Sequence, residues 1–251
     1  MDIVMIGSGN VATVLGRKFR AAGHTILQIY GRNAKAASAL AYEWDTESTN
    51  YISMIVKRAD VYIIAVKDDA IPDVISNLEL QGSVVAHTAA SVPKEILQKV
   101  SGHYGVFYPL QSLRTNMTDL PDIPVFVEGN DEKAINMLTS LARSISPEQV
   151  SGAGPEDRMK MHVAAVLVSN FTNHLYKLAA DYCKKEGLDF KQLLPLIEET
   201  AGRLREISPD QAQTGPAIRQ DQSTIEKHLQ ILKGHPLLSE IYLLFTKSIQ
   251  S

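Results

Sequence analysis

Six residues near the start of the chain, Gly7-Ser8-Gly9-Asn10-Val11-Ala12, have the spacing with which a backbone can hold a pyrophosphate. Gly7 permits a tight turn, Gly9 lets the backbone approach the phosphates, and Ala12 lets the following helix lie close on a sheet. The free N–H groups and positive dipole end of that helix complete an anion site. The alternative is a glycine-rich turn that binds nothing. An apolar strand before the loop (Ile3 to Ile6), a helix-compatible run after it to Ala22, and a second strand on schedule favour a dinucleotide. That second strand ends in Tyr30-Gly31-Arg32-Asn33, with no carboxylate for a ribose 2′-hydroxyl. Gly31 leaves space for a 2′-phosphate and the Arg32 guanidinium can pair with it, so the expected cofactor is NADP rather than NAD. As an alternative, Arg32 is a solvated surface arginine.

A second constellation lies past the middle of the chain. His162, Val166, Ser169, Asn170 and Asn173 fall three to four residues apart on an otherwise apolar helix. If the row faces a cleft, His162 can serve as general acid, since histidine titrates near neutrality, with Asn170 or Asn173 orienting a substrate. A buried row satisfying interhelical hydrogen bonds or a dimer seam explains the same spacing. His87 and Thr88 stand at a strand end, where open α/β sheets bind ligands, and join the cofactor set. The alternative for His87 is a structural cap. In Thr214 to Asp221, Arg219 can grip a substrate carboxylate, or pair with Asp221 in a rigid Gly-Pro turn. Tyr108, Pro109 and Gln111 form either a floor below the nicotinamide or a turn into the loop through Pro121 and Pro124. His24, His103, His174 and His235 show no metal-site spacing with carboxylates, so no metal is expected.

The elements that must position these groups follow from periodicity. Up to about Val150, short β-branched runs alternate with helical segments, the pattern of a mainly parallel sheet wrapped by helices. Strands are expected at Ile3–Ile6, Thr25–Tyr30, Val61–Val66, Val84–His87, Gly105–Tyr108 and Val125–Glu128, with a weaker one near Trp44. Val61 to Val66 is apolar on both faces, as strands buried in a parallel sheet must be. After Ser151-Gly152-Ala153-Gly154-Pro155 the strand signals stop. Helices are expected from about Glu156 to Glu186, ended by Gly187, from Phe190 to Glu206, and from near Asp221. At the end of the chain, Leu238, Ile241, Tyr242, Phe245 and Ile249 recur at helical spacing, so that helix packs one face against something. The fold class is therefore α/β, a Rossmann domain over residues 1–152 followed by an all-helical substrate or dimerisation domain over 153–251.

The 251 residues are 45% hydrophobic, enough for two cores, and the net charge of −3 gives no footprint for nucleic acid or an anionic membrane. A small-molecule substrate is expected. One cysteine, Cys183, suits a reducing cytoplasm, and no apolar run reaches the roughly 20 residues needed to span a bilayer. The apolar C-terminal helices make a homodimer the default expectation.

The sequences GSGNVA, YGRN and Ala65-Val66-Lys67-Asp68-Asp69-Ala70, with the helical second half, resemble the superfamily of pyrroline-5-carboxylate reductase and the deazaflavin-dependent NADP reductases. His87-Thr88-Ala89-Ala90-Ser91, Phe107 to Ser112, Thr214 to Asp221 and Thr224 to Leu229 resemble more closely a bacterial family of provisionally named NADP oxidoreductases. That family pairs a Rossmann-like domain with a helical domain of unknown function. The resemblance implies NADP, places Val66 and Lys67 with the cofactor, and implies a helical domain of the 6-phosphogluconate dehydrogenase type. Related β-hydroxyacid dehydrogenases use a lysine and an asparagine four residues apart. Here Lys160 is followed by Ala164. The leading expectation is hydride transfer between NADPH and a small carbonyl or imine compound. The rivals are a non-catalytic NADP-binding sensor or regulatory protein, and an enzyme whose redox partner is a deazaflavin.

Overall fold

The computed structural model describes residues 1–117, 120 and 122–251, so Pro121 lies outside the described residues. The chain forms two compact units, Met1–Ser169 and Asn170–Ser251. The first begins with β1 (Asp2–Ile6), α1 (Asn10–Ala21), β2 (Thr25–Tyr30), α2 (Ala34–Trp44), β3 (Glu47–Thr49) and β4 (Val61–Ile64). It continues with α3 (Ile71–Ile75), β5 (Val84–His87), β6 (His103–Pro109), β7 (Val125–Gly129), α4 (Glu132–Ile145), β8 (Val150–Gly152) and α5 (Pro155–Ala165). The eight strands are ordered β3-β2-β1-β4-β5-β6-β7-β8, and every pair is parallel except β6 with β7. The fold is a Rossmann-like sheet domain followed by an all-helical C-terminal part.

Strand alternation explains the two layers. Ile3, Met5, Val61 and Ile63 point to the face covered by α1, α2 and α4. Val4, Ile6, Tyr62 and Ile64 point to the other face, under α3 and the loop before β6. Each such side chain taken fully out of water contributes about 1.5–3 kcal/mol. The expected strand near Trp44 is displaced. Trp44 is the last residue of α2 and is buried, and the short polar strand β3 begins three residues later. β8, Val-Ser-Gly, was not expected at all, because three residues with one apolar side chain carry no periodicity.

The helical unit follows from a continuous helix. α5 runs into a π-helical stretch, Val166–Phe171, and then into α6 (Thr172–Lys185), with Gly187 at φ 71° turning the chain after it. α7 (Leu194–Arg203) comes next, then α8 (Pro209–Ala212), which starts at a capping box of Ser208 and Gln211. α9 (Gln222–Ile231) has Asp221 as its cap, and α10 (Pro236–Gln250) ends the chain. This unit contains few buried side chains. Among the described residues they are Cys183, Ala217, Ile225 and Thr246, whereas Leu188, Leu196, Ile231, Leu244 and Phe245 are exposed. Of the row expected on the last helix, Leu238, Ile241, Tyr242 and Ile249 are half-buried and Phe245 is exposed.

Two elements that frame the ligand edge are held by a close approach. A Cβ at Gly16 of α1 would lie 2.2 Å from Cη2 of the buried Trp44 ring. Replacing Gly16 by Ala is therefore expected to destabilise the protein by about 1–3 kcal/mol despite alanine's better helix propensity. Urea unfolding measures this, and an unchanged midpoint would show that Trp44 yields freely.

Candidate cofactor and active site

The sheet order reverses between β1 and β4, and a cavity of about 380 Å³ opens there at the C-terminal ends of the strands. It is lined by Gly7, Ser8 and Gly9 after β1, by Tyr30 to Asn33 after β2, and by Ala65, Val66 and Lys67 after β4, together with Val74. None of these residues is acidic. Gly7 holds φ 131°, and a Cβ there would lie 2.3 Å from the Ala65 carbonyl oxygen, so only glycine lets the two loops meet. At Gly9 a Cβ would meet nothing, which is the open approach a phosphate requires. Gly31 is needed for packing as well as for space, since a Cβ there would come 2.7 Å from Ser8 Oγ. α1 has no side-chain cap and no acidic residue in its first turn, so its leading N–H groups and dipole face the cavity unneutralised.

Other residues expected at the cofactor take structural parts in this edge. Ala12 is fully buried and Val11 packs on the same core, so both act through the backbone and through helix packing. Asn10 Oδ1 accepts the Thr115 N–H (3.1 Å), which ties the loop after β6 across the start of α1, and Arg17 donates to the Thr115 carbonyl. Asn33 Oδ1 caps α2 through the Ala36 N–H. Arg32 and Lys67 are exposed at the rim. A larger hollow of about 650 Å³, lined by Arg17, Arg20, His24 and Trp44, lies at the start of β2, the sheet edge opposite to the one where such folds take ligands.

A second cluster forms where β4, β5 and β6 end. Thr88 N–H donates to the Ile64 carbonyl, and Ser91 Oγ donates to Asp68 in the loop after β4. His87 is fully buried; its Nδ1 accepts the Ala89 N–H, which shapes this turn, and its buried Nε2 makes no hydrogen bond among the described residues. Burial, aided by the nearby Arg158 charge, pushes its pKa down to about 4. Arg158 on α5 is itself 1% exposed. It donates to the carbonyls of Ala90 and Val92 and to Glu128 Oε2 (2.7 Å), and Glu128 also accepts from Lys94. One turn further along α5, His162 Nδ1 lies 2.9 Å from the hydroxyl of Tyr108, at the end of β6. Ser169 bonds Ser112 in the loop beyond (2.7 Å). Asn170, Asn173 and Arg219 belong to the helical unit, where all three are exposed, and Arg219 lies near enough to Asp221 to help hold its carboxyl below the usual range, after the larger effect of the Thr224 hydrogen bonds. The π turns break the α-helical spacing on which the row from His162 to Asn173 was read.

A family described as a domain of unknown function, DUF2520, matches residues 123–249, and one described as NADP oxidoreductase, coenzyme F420-dependent, matches residues 2–91. A solved protein of Bacteroides fragilis, provisionally named an NADP oxidoreductase, is 36% identical, with a TM-score of 0.88 over 99% of this chain and 97% of that one. The chain belongs to the DUF2520 family. A Thermotoga maritima protein is 23% identical, with a TM-score of 0.79 over 99% of this chain and all of its own. Pyrroline-5-carboxylate reductase of Streptococcus pyogenes is 15% identical, with a TM-score of 0.67 over 100% and 98%, a likeness of fold alone. No curated protein matches the chain.

In this DUF2520 member, sequence reading missed the partners that set the second cluster. Arg158 follows Glu156 and Asp157 and reads as a solvated helix start, and nothing local marks it as buried. Glu128 gave a weak signal, as the carboxylate closing the apolar strand Val125-Phe126-Val127. Lys160, by contrast, is exposed and paired with Glu156. Among the described residues, no group of three His, Cys, Asp or Glu could hold a metal.

The lowered pKa of His87 makes stability depend on pH. Above the ordinary value of 6.5, folded and unfolded chains both carry it neutral and its contribution is complete. As the pH falls from 6.5 to about 4, only the unfolded chain gains the proton, and stability is lost. Between pH 7 and pH 4 the wild type should lose about 3 kcal/mol more than His87→Gln in urea unfolding. Parallel pH profiles for the two proteins would refute this.

Proposed function

We infer that the protein is an NADP(H)-dependent oxidoreductase, transferring a hydride between NADPH and a small carbonyl or imine compound. The observation that carries this reading is the cavity at the reversal of strand order, with Gly7, Gly9 and the uncapped start of α1 on one side and Arg32 on the other. The peptide N–H groups of the first turn of α1 hold the pyrophosphate, and Arg32 and Lys67 supply positive charge at the rim. NADPH, when bound, supplies the hydride from its nicotinamide. His162, held beside Tyr108 at the end of β6, delivers the proton to the substrate oxygen or nitrogen. The name of the Bacteroides fragilis relative and the family matched over residues 2–91 support the same chemistry.

The helical unit completes its packing against a second copy of the chain. Its exposed leucines, with Phe245 on α10, form an apolar surface of the kind that marks association, and the unit buries too little to close a core on its own. Among the described residues no helix is long and apolar enough to cross a membrane. A chain whose single thiol is buried suits the reducing cytoplasm, where we place it.

Calorimetry of ligand-free protein tests the cofactor. NADPH should bind more tightly than NADH, and Arg32→Ala should weaken NADPH roughly 10- to 100-fold, about 1.5–3 kcal/mol, with NADH unaffected. Failure of both nucleotides to bind at millimolar concentration would end the oxidoreductase reading. Light scattering is expected to give twice the chain mass, and Phe245→Glu on α10 to shift it towards one. A wild-type mass of one chain would remove the dimer.

A further inference from the structure

We propose that Tyr108 is a positioning residue that holds the His162 ring by Nδ1 and so makes Nε2 the nitrogen that delivers the proton. The inference rests on the general-acid reading of His162 given above.

The geometry is confined to the sheet unit. Tyr108 is the penultimate residue of β6, where it pairs with Phe126 of the antiparallel β7 and stacks on that ring at 6.3 Å. Its side chain therefore projects from a strand and is held on one face by an aromatic, and little freedom remains to its hydroxyl beyond rotation about the C–O bond. The hydroxyl lies 2.9 Å from His162 Nδ1, and the two rings meet edge to face at 6.1 Å. Among the described residues no hydrogen bond is made by His162 Nε2, so the ring is anchored at one end only. The backbone of α5 is fixed independently. Arg158, four residues earlier and on the same face, is bonded to the carbonyls of Ala90 and Val92. Helix and strand thus hold their positions without the Tyr108–His162 bond, and the bond is left to set the orientation of the imidazole.

A tyrosine suits this task in both protonation states. Burial keeps the phenol protonated by raising its pKa, with the Arg158 charge opposing and Asp68 adding to the effect. Towards a neutral imidazole the hydroxyl donates to a bare Nδ1 or accepts from Nδ1–H, so Nδ1 is occupied in either tautomer and Nε2 is left free. Towards an imidazolium the same oxygen accepts from Nδ1–H. In the reductive direction the substrate carbon takes up the hydride and its oxygen or nitrogen takes the proton from Nε2. The N–H bond breaks and its electron pair stays on the ring, leaving a neutral imidazole with hydrogen on Nδ1, bonded to Tyr108. A proton taken up from bulk solvent restores the imidazolium at Nε2. A ring free to turn would offer either nitrogen, and half of its orientations would miss.

Tyr108→Phe retains the ring stacked on Phe126 and removes only the hydroxyl. The first readout needs neither cofactor nor substrate: 15N shifts of the histidine ring nitrogens in ligand-free protein, with the His162 pair identified by its absence in His162→Gln. At a pH where the ring is neutral, the wild-type Nδ1 shift should be that of a hydrogen-bonded nitrogen, and in Tyr108→Phe it should move towards the unbonded value. Turnover of 1-pyrroline, a small cyclic imine, with NADPH gives the second. Tyr108→Phe should lower kcat about tenfold with KM and NADPH affinity unchanged, and His162→Gln should lower it at least 100-fold. Identical nitrogen shifts in wild type and Tyr108→Phe would overturn the inference, whether or not 1-pyrroline is reduced. If His162→Gln turns over like the wild type, the general-acid reading fails, and this inference with it. If His162→Gln is inactive and Tyr108→Phe alters neither readout, the inference alone fails.

Discussion

A guanidinium taken out of water must find its hydrogen-bond partners within the protein, because an uncompensated buried charge costs several kcal/mol. Arg158 meets this demand with two carbonyls from the loop after β5 and the Glu128 carboxylate at the end of β7. These partners come from segments about 30 and 70 residues away in the chain, so satisfying one side chain fixes the first helix beyond the sheet against two of its loops. The His162–Tyr108 pair depends on this arrangement, since it lies one turn further along the same helix. Lys94 shares Glu128, while burial and then the Arg158 charge hold the adjacent His87 neutral.

The cofactor edge is organised on a different basis. There the decisive groups are absent side chains: Gly7 lets the first loop touch the Ala65 carbonyl, Gly31 admits Ser8, and Gly9 leaves a path to the start of α1. Polar side chains near this edge are mostly spent on structure, Asn33 on capping α2 and Asn10 on tethering the loop at Thr115. What remains for a ligand is backbone N–H, dipole and the cations at the rim. That is a set suited to phosphates and unsuited to a metal.

The long parallel strands and the glycine loop were legible in the sequence because both have local causes, continuous apolar runs in the first case and glycines bounded by a strand and a helix in the second. The helix boundaries were legible for the same reason, with Gly187 turning the chain at positive φ after α6 and Asp221 capping the start of α9. Short polar strands were not. β3 was sought at Trp44, whose indole instead closes α2 onto Gly16, and β8 is held by pairing with β7 rather than by any preference of its own residues. The partners of the candidate site were legible least of all. The pairing of Tyr108 with His162 joins residues 54 apart, and Arg158 differs from a surface arginine only through its tertiary surroundings. His162 itself could be singled out, because a polar residue on an apolar helix shows in the sequence, but the π turns beyond Ala165 broke the spacing that linked it to Asn170 and Asn173.

The two ends of the sheet bear on how the chain resists strand addition. β3, Glu-Ser-Thr, and β8, Val-Ser-Gly, are each three residues long and largely polar. An edge so short offers few unpaired backbone groups in register, and its side chains give an incoming strand nothing apolar to cover. The eight-stranded sheet is thus closed to further growth at both margins. Runaway strand addition, the usual hazard of a large open sheet at high concentration, finds little to start from at either edge.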